Sequence, residues 1–335
     1  MISLEPFTRA TEFAAILSAM YRGHGDKKAA DRAAVYAFKC ILNEIPMRGR
    51  VVSTEGALDD SHKLDYGEIV GAEREKGEQL DIAIDPLENT SACAAGMPGA
   101  VAVLAVGKTN CFLRAEETYM WKLAVGPEAR NAIDLKKSAT ENIDKVCRVL
   151  GKEPAQLVVA ILDRPRHQEL IAEIRATGAM VMLLPAGDLM PAIATCMPGS
   201  GVDMVIGAGG GPEGVIAASA IKALGGNFQG RLDKKLTEQE MGDDLDFEVD
   251  EGYMTLSQIV KKPVETISIT AVTDAYFLKG VYYDNRRVNT HTFVVRGGST
   301  TYGENRASRQ LRTHNWYKYV KADPEIYSLF ESKVR

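Results

Sequence analysis

Apolar positions along this chain fall into two repeating spacings, one helical and one strand-like. Over residues 5–21 they recur at helical intervals (Phe7, Ala10, Phe13, Ala14, Leu17), with Thr8 and Thr11 near the start. Gly23 and Gly25 interrupt this pattern. A second helix is expected from Asp26 onward, with Ala30, Ala34, Ala37, Cys40 and Ile41 on its apolar face and Asp26 placed to cap it. Val51 and Val52 mark a strand that opens into a polar loop holding Glu55, Asp59 and Asp60, and residues 65–77 read as a hairpin or surface segment. Ile82, Ala83 and Ile84 then form a strand that delivers Asp85 at its end. Pro86 prevents that strand from continuing, and Glu88 and Thr90 fall on the opening turn of a short helix. The run AVAVLAVG is the next strand, followed by a strand-like pair at 111–114 and 118–122. KSATENIDKVCRVLG predicts an amphipathic helix capped by Ser138 and stopped by Gly151.

The second half alternates more strictly. Strands at 157–162, 180–184 and 202–206 are interleaved with helices at 168–177, 189–195 and 212–224, which predicts a largely parallel sheet with helices on its faces. Its polar clusters are Arg164 with Arg166, Pro185 to Asp188, and Gly207 to Glu213. All follow strand carboxyl ends, where such sheets bind ligands. GAGGGPEG precedes a helix with Pro212 at its first position, so free amides face whatever anion sits there. A dinucleotide would need GxGxxG with an acid about twenty residues later, and the run lacks it. Residues 237–252 are an acidic, solvated surface segment. Strands are expected again at 267–272, 290–296 and 308–313, with Arg306, Arg309 and Arg312 solvated. The pattern divides the chain at Gly151 into an N-terminal α+β domain, 1–151, and a C-terminal α/β domain, 152–335, whose late strands return to the first.

Composition narrows the class. The 335 residues are 45% hydrophobic and 25% charged, ordinary for a globular α/β protein of two domains. A formal net charge of -5 argues against a nucleic-acid surface, while leaving room for a local basic pocket that takes a phosphorylated metabolite. The five cysteines (Cys40, Cys93, Cys111, Cys147, Cys196) are scattered and never form CxxC, so they read as reduced core residues of a cytoplasmic protein. The first residues, MISLEPFTRATEF, carry acids and no basic segment before an apolar run, and no apolar run reaches membrane-spanning length. Neither a leader nor a membrane partner is expected.

The chemistry concentrates at Asp85 to Thr90. Asp85, the Leu87 carbonyl, Glu88 and Thr90 could surround one point with oxygen ligands, which suits Mg²⁺ or Mn²⁺. They could equally be a helix cap in which Asp85 or Thr90 satisfies free amides. The stretch alone leaves both open.

DPLENT at 85–90 does not stand alone. With AVAVLAVG, GDKKAADRAAV at 25–35, TEG at 54–56, TYMWKL at 118–123, DRPRH at 163–167, PAGD at 185–188 and GGGPEGV at 209–215, it resembles the class II (GlpX-type) fructose-1,6-bisphosphatases, in the same order over nearly the whole chain. These belong to the lithium-sensitive phosphatase superfamily that includes inositol monophosphatases. The resemblance implies an α/β fold, a layered α-β-α-β-α sandwich, with the site in the cleft between an N-terminal metal domain and a C-terminal α/β domain. It implies Mg²⁺ or Mn²⁺ held by Asp31, Glu55, Asp85, Glu88 and Glu213. Thr90, Asp59 and Lys27 are the implied catalytic set, with Thr90 orienting or deprotonating a water that attacks phosphorus in line, without a covalent enzyme intermediate. Lys27, Tyr119, Arg164 and Arg166 would hold phosphate. Asn89, Gly187, Asp188, Gly209 and Gly210 would line the sugar of a small sugar-phosphate substrate. A homo-oligomer, dimer or tetramer, is expected.

Several positions depart from the family pattern. Lys28 and Arg32 replace Asn and Gly, Ala57 replaces an acid of the metal loop, Asn89 a glycine, Ser91 a polar or basic residue, and Ala186 the first aspartate of a DGD motif that would bind sugar hydroxyls. The segment near 240 is shorter than the family's helical insertion. DRPRHQELIAEIRATGA and KSATENI tilt the resemblance toward cyanobacterial enzymes acting on both fructose-1,6- and sedoheptulose-1,7-bisphosphate. The competing readings are a phosphatase for another sugar or inositol phosphate, and a catalytically silent phosphosugar-binding protein. The presence of all five acids and Thr90 speaks against silence. The departures point to an altered or broader sugar-phosphate preference.

Overall fold

The computed structural model describes residues 3–54, 64–115, 118–242, 249–284, 286–297 and 302–333. Their strands form two sheets. The first contains β1 (Met47–Thr54), β2 (Ile69–Val70), β3 (Glu78–Glu88) and β4 (Val101–Lys108), then β11 (Val264–Ala271), β12 (Tyr282–Asp284), β13 (Arg287–Arg296) and β14 (Tyr302–Arg309). Its order is β12-β13-β11-β4-β3-β1-β2, with β14 also paired to β13. The second contains β5 (Tyr119–Val125), β6 (Val158–Leu162), β7 (Met180–Leu184), β8 (Met204–Gly210), β9 (Asn227–Leu232) and β10 (Met254–Thr255), ordered β10-β9-β5-β8-β6-β7. Strand membership does not follow chain order. β5 enters the sheet of the later residues, and β11 to β14 complete the sheet of the earlier ones.

Burial sorts the helices into layers. α1 (Glu5–Ala19), α2 (Lys27–Leu42), α8 (Tyr317–Ala322) and α9 (Pro324–Lys333) share one apolar cluster with Ile82, Ile84, Leu104 and Val106 of the first sheet. α4 (Ala139–Leu150) and α5 (Gln168–Ala176) share another with Leu123, Val159 and Met204 of the second. Between the sheets lie α6 (Leu189–Ala194) and α7 (Gly211–Leu224), packed with Val101, Val103 and Ala105 on one side and Met120, Ala124 and Ala160 on the other. The result is an α-β-α-β-α sandwich. α7 occupies the middle because its sequence is apolar on every side: residues 211–221 are all buried, and a helix without a polar face is stable only in a core.

Local rules hold where they are local. Asp26 caps α2 by accepting from Ala29 N at 2.9 Å, and Ser138 with Glu141 forms a capping box on α4, which Gly151 ends in the left-handed conformation. Rules that need a distant partner differ from expectation. The second sheet is mixed: only β6–β7 and β6–β8 are parallel, because β5 and β9, which the parallel reading omitted, pair antiparallel. Residues 111–114 contribute a single bridge, Phe112 to Val260, and no strand. The strand expected at 308–313 lies at Tyr302–Arg309, and Leu311–Thr313 is a 3-10 turn.

Arg309 is not solvated. Its Nη2 lies 2.6 Å from Oε2 of Glu12, which is wholly buried on α1, while Asn305 Nδ2 donates to Oε1 at 3.0 Å. Burial pushes the Glu12 carboxyl up, and Arg309 opposes that shift. Removing one partner of such a pair strands a charge in the core. Arg309→Met is therefore expected to destabilise the fold by about 3 to 5 kcal/mol, and Arg309→Met with Glu12→Gln by clearly less. Urea unfolding of both variants checks this; equal losses would show that the charge is not what is being paired.

Candidate active site

Asp85 and Glu88 are three residues apart, and in a regular strand that spacing points side chains to opposite faces. The structure solves this with a bulge. Asp85 pairs with Val103 and Glu88 with Val101, so three steps on β3 match two on β4. Both carboxylates thereby face the seam between the sheets, the side to which Val101 and Val103 also point. Pro86 does not end the strand as expected from sequence. It sits inside the bulge, where a residue without an N–H is tolerated, and Asp85 Oδ1 accepts from Leu87 N at 3.0 Å.

Glu88 is the last residue of the strand and not part of the following helix. α3 (Thr90–Ala95) is capped by Asn89, whose side chain accepts from Ala92 N at 3.2 Å, and neither Asp85 nor Thr90 performs that role. Asn89 has φ +62°, a left-handed conformation that glycine and asparagine adopt most readily. That explains how Asn stands where the resembling family has Gly. It keeps the turn and adds a cap.

The third acid arrives from the other side of the seam. β8 runs through Gly210, longer than the expected 202–206, because Gly207 to Gly210 pair with Lys122 to Tyr119 of β5. α7 then starts at Gly211 and carries Glu213 in its first turn. One carboxylate oxygen from each of Asp85, Glu88 and Glu213 lies within 4.8 Å of the others, and all three residues are buried. Glu213 Oε2 has no hydrogen-bond partner among the described residues. A Cβ at Gly210 would overlap that oxygen, and one at Gly209 would overlap Asp188 Oδ2, so the carboxylates press against bare backbone. Burial, reinforced by the charges of Glu213 and Asp188, pushes the Glu88 carboxyl up to about 8. Burial also raises Glu213. Three buried acids on one point, one with an oxygen left over, fit an oxygen-binding divalent cation, and no histidine or cysteine belongs to the group.

The remaining candidates lie around this point. Asp31, half-buried on α2, falls outside the converging trio, and burial pushes its carboxyl to about 6. Lys27 is exposed at the start of α2, and Thr90, half-buried, opens α3. Glu55 and Asp59, like Ala57, lie outside the described residues. Arg166 stacks over the Tyr119 ring at 5.0 Å, donates to the Ala208 carbonyl at 3.0 Å and pairs with Glu240 at 2.7 Å. Arg164 donates to the carbonyls of Asp163 and Pro185 at 2.9 and 2.8 Å, which ties the loop after β6 to the loop carrying Ala186, Gly187 and Asp188. A Cβ at Gly187 would come within 3.0 Å of Glu88 Oε1, so that loop borders the acids.

Two residues beyond the sequence candidates support the site. His167 is fully buried; Nδ1 donates to the Leu162 carbonyl and Nε2 accepts from Ala208 N, both at 2.8 Å, which fixes the end of β6 against β8. Burial lowers its pKa and favours the neutral ring that these bonds require. Lys122 is buried and reaches both oxygens of Asp188 at 2.8 and 2.9 Å. The one sequence signal for it was a lone cation inside the apolar strand YMWKLAV.

Residues 2–308 match the family described as bacterial fructose-1,6-bisphosphatase, glpX-encoded. The chain is 39% identical over 308 residues to fructose-1,6-bisphosphatase 1 class 2 of Escherichia coli (strain K12), covering 88% of this chain and 91% of that one. It is 38% identical over 309 residues to the class 2 enzyme of Haemophilus influenzae, covering 88% and 92%. It is 43% identical over 231 residues to D-fructose 1,6-bisphosphatase class 2/sedoheptulose 1,7-bisphosphatase of Synechococcus elongatus, covering 66% and 67%.

The acids make cation-free protein sensitive to pH in a stated direction. Glu88 holds its proton in the folded state up to about 8, while its ordinary value is 4.5. Between these the unfolded chain releases the proton and the folded one keeps it, so stability falls as pH rises through that window. In EDTA, Tm should drop from pH 5 to pH 8 and level off above, and Glu88→Gln should flatten the slope. A slope of the opposite sign, unchanged in Glu88→Gln, would contradict this.

Proposed function

This chain belongs to the bacterial, glpX-encoded fructose-1,6-bisphosphatase family, and from that membership we propose that it hydrolyses one phosphate monoester of a sugar bisphosphate, with fructose-1,6-bisphosphate and sedoheptulose-1,7-bisphosphate as the first candidates. The observation that carries the reading is the convergence of Asp85, Glu88 and Glu213, from a bulged strand and a helix start on opposite sides of one seam. With Asp31 and Glu55 they are the proposed ligands of Mg²⁺ or Mn²⁺. A divalent ion there would neutralise the acids and polarise phosphoryl oxygens.

The chain's own groups supply the rest. Thr90, two residues beyond Glu88, is assigned to hold the attacking water by its hydroxyl, aided by Asp59. The exposed ammonium of Lys27 and the Arg164, Arg166 and Tyr119 group are assigned to the phosphates. The Arg166 and Tyr119 side chains hold each other in place by stacking, which limits the ordering needed when phosphate arrives. Gly187, Asp188, Asn89, Gly209 and Gly210 are assigned to the sugar. We assign the protein to the cytoplasm as a homodimer or homotetramer. Five cysteines without a disulfide suit a reducing compartment, and among the described residues no helix is long and apolar enough to cross a membrane.

A second reading concerns the sugar. Ala186 adjoins Gly187 in the loop bordering the acids and offers no carboxylate to a hydroxyl. A site that hydrogen-bonds a hydroxyl discriminates strongly for it, so its loss should weaken selection for the fructose pattern by roughly 5- to 150-fold. A broader sugar-phosphate preference follows.

Three measurements test these assignments. Asp85→Asn keeps the acceptor for Leu87 N but removes a charge, so it should fold normally and release almost no phosphate; near-normal turnover would remove the central claim. Thr90→Ala should lower kcat about 10²-fold or more with KM little changed, and Thr90→Ser should recover part of it. Serine performing no better than alanine would exclude the hydroxyl. Ala186→Asp should raise kcat/KM for fructose-1,6-bisphosphate relative to other sugar phosphates. If the native chain already prefers that substrate strongly and the added acid gains nothing, the altered-preference reading is wrong.

A further inference from the structure

Four buried carboxylates gather at the seam, and only three of them converge. Asp188, at the start of α6, is close enough for its charge to raise both Glu88 and Glu213. Yet it is not one of the three acids whose oxygens meet. It makes no helix-capping bond either. Both of its oxygens accept from the Lys122 ammonium, in a pair whose side chains are 3% and 10% exposed.

Lys122 has little freedom to be elsewhere. It lies on β5 opposite Gly207 of β8 and Gly230 of β9, in the middle of the second sheet. A Cβ at Gly214 would come within 3.2 Å of its Cε, and one at Gly209 within 3.1 Å of its Nζ. Its stem therefore rises along the first turn of α7, beside the helix start that presents Glu213.

We propose that Lys122 is the positioning residue that holds Asp188 apart from the cation-binding acids, so that Asp188 keeps its remaining lone pairs for a hydroxyl of the sugar. This deepens the assignment of Asp188 to the sugar and rests on the cation and substrate reading above. Lys122 also offsets the charge of Asp188. The seam then holds three converging acids for the cation and one acid, paired to Lys122, for the substrate.

The two roles move in opposite directions when Lys122 is removed. Lys122→Met leaves the cluster one charge more negative and frees Asp188, so Mn²⁺ measured by calorimetry on EDTA-stripped protein should bind about 10-fold tighter, since such sites tune affinity by ligand charge count. KM for fructose-1,6-bisphosphate should rise about 10-fold or more through loss of the oriented acceptor. Because Lys122→Met strands Asp188 and could impair folding, the double variant Lys122→Met/Asp188→Asn buries neither charge alone. It should return Mn²⁺ affinity to within about 3-fold of the native value while KM stays raised. Weaker Mn²⁺ binding in both variants, or an unchanged KM in the double variant, would overturn the proposal and leave Lys122 as a structural ion pair. Native protein that binds no Mn²⁺ would instead overturn the cation reading, and this inference with it.

Discussion

Burying several carboxylates in one seam between the sheets is the constraint on which the rest of this structure depends. Taking a carboxylate out of water costs several kcal/mol even after the protein relaxes, and here four are gathered between two sheets. Each is held by something specific. A bulge turns Asp85 and Glu88 to one side, the start of α7 presents Glu213, and the start of α6 presents Asp188 to Lys122. Bare backbone at Gly209 and Gly210 leaves the space. The five layers bring these pieces together: neither sheet alone contains more than part of the set, and the cluster exists because α7 is clamped between both.

The supports differ in kind. Those on the first sheet are covalent in origin, since Pro86 and one extra residue fix where two side chains point. Those on the second are electrostatic and hydrogen-bonded, from Lys122, His167 and the Arg166–Tyr119 stack. A substitution in the first group misdirects an acid. One in the second leaves the acids in place and changes what surrounds them.

What could be read in advance follows from how far apart the cause and its effect lie. Asp26 and Ser138 were legible as caps because a cap is decided within four residues. Pro86 was misread because a bulge is defined by the partner strand, and nothing in DPLENT names Val101 and Val103. The true end of β8 was hidden by four residues of low strand preference, Gly207 to Gly210, whose pairing with β5 overrides that preference. Arg309 looked solvated because Glu12 stands at the opposite end of the chain. At the site, spacing alone left Asp85 to Thr90 divided between a cap and an ion site. The family resemblance, not the spacing, pointed to Glu213. Asn89 was visible only as a departure until its φ showed why it is allowed.

The order in which the first sheet closes has a consequence for how the protein is made. β4 is paired on one side by β3, which precedes it, and on the other by β11, which follows more than a hundred and fifty residues later. During synthesis the edge of β4, a strand apolar from Val101 to Val106, therefore emerges long before the strand that covers it. α7, which shields the inner face, also comes late. An open apolar edge of this kind templates association with other chains, and long-range pairing closes slowly. A chain that ends anywhere between β4 and β11 lacks the strand that covers this edge, so the first sheet closes only after the carboxyl-terminal strands are made.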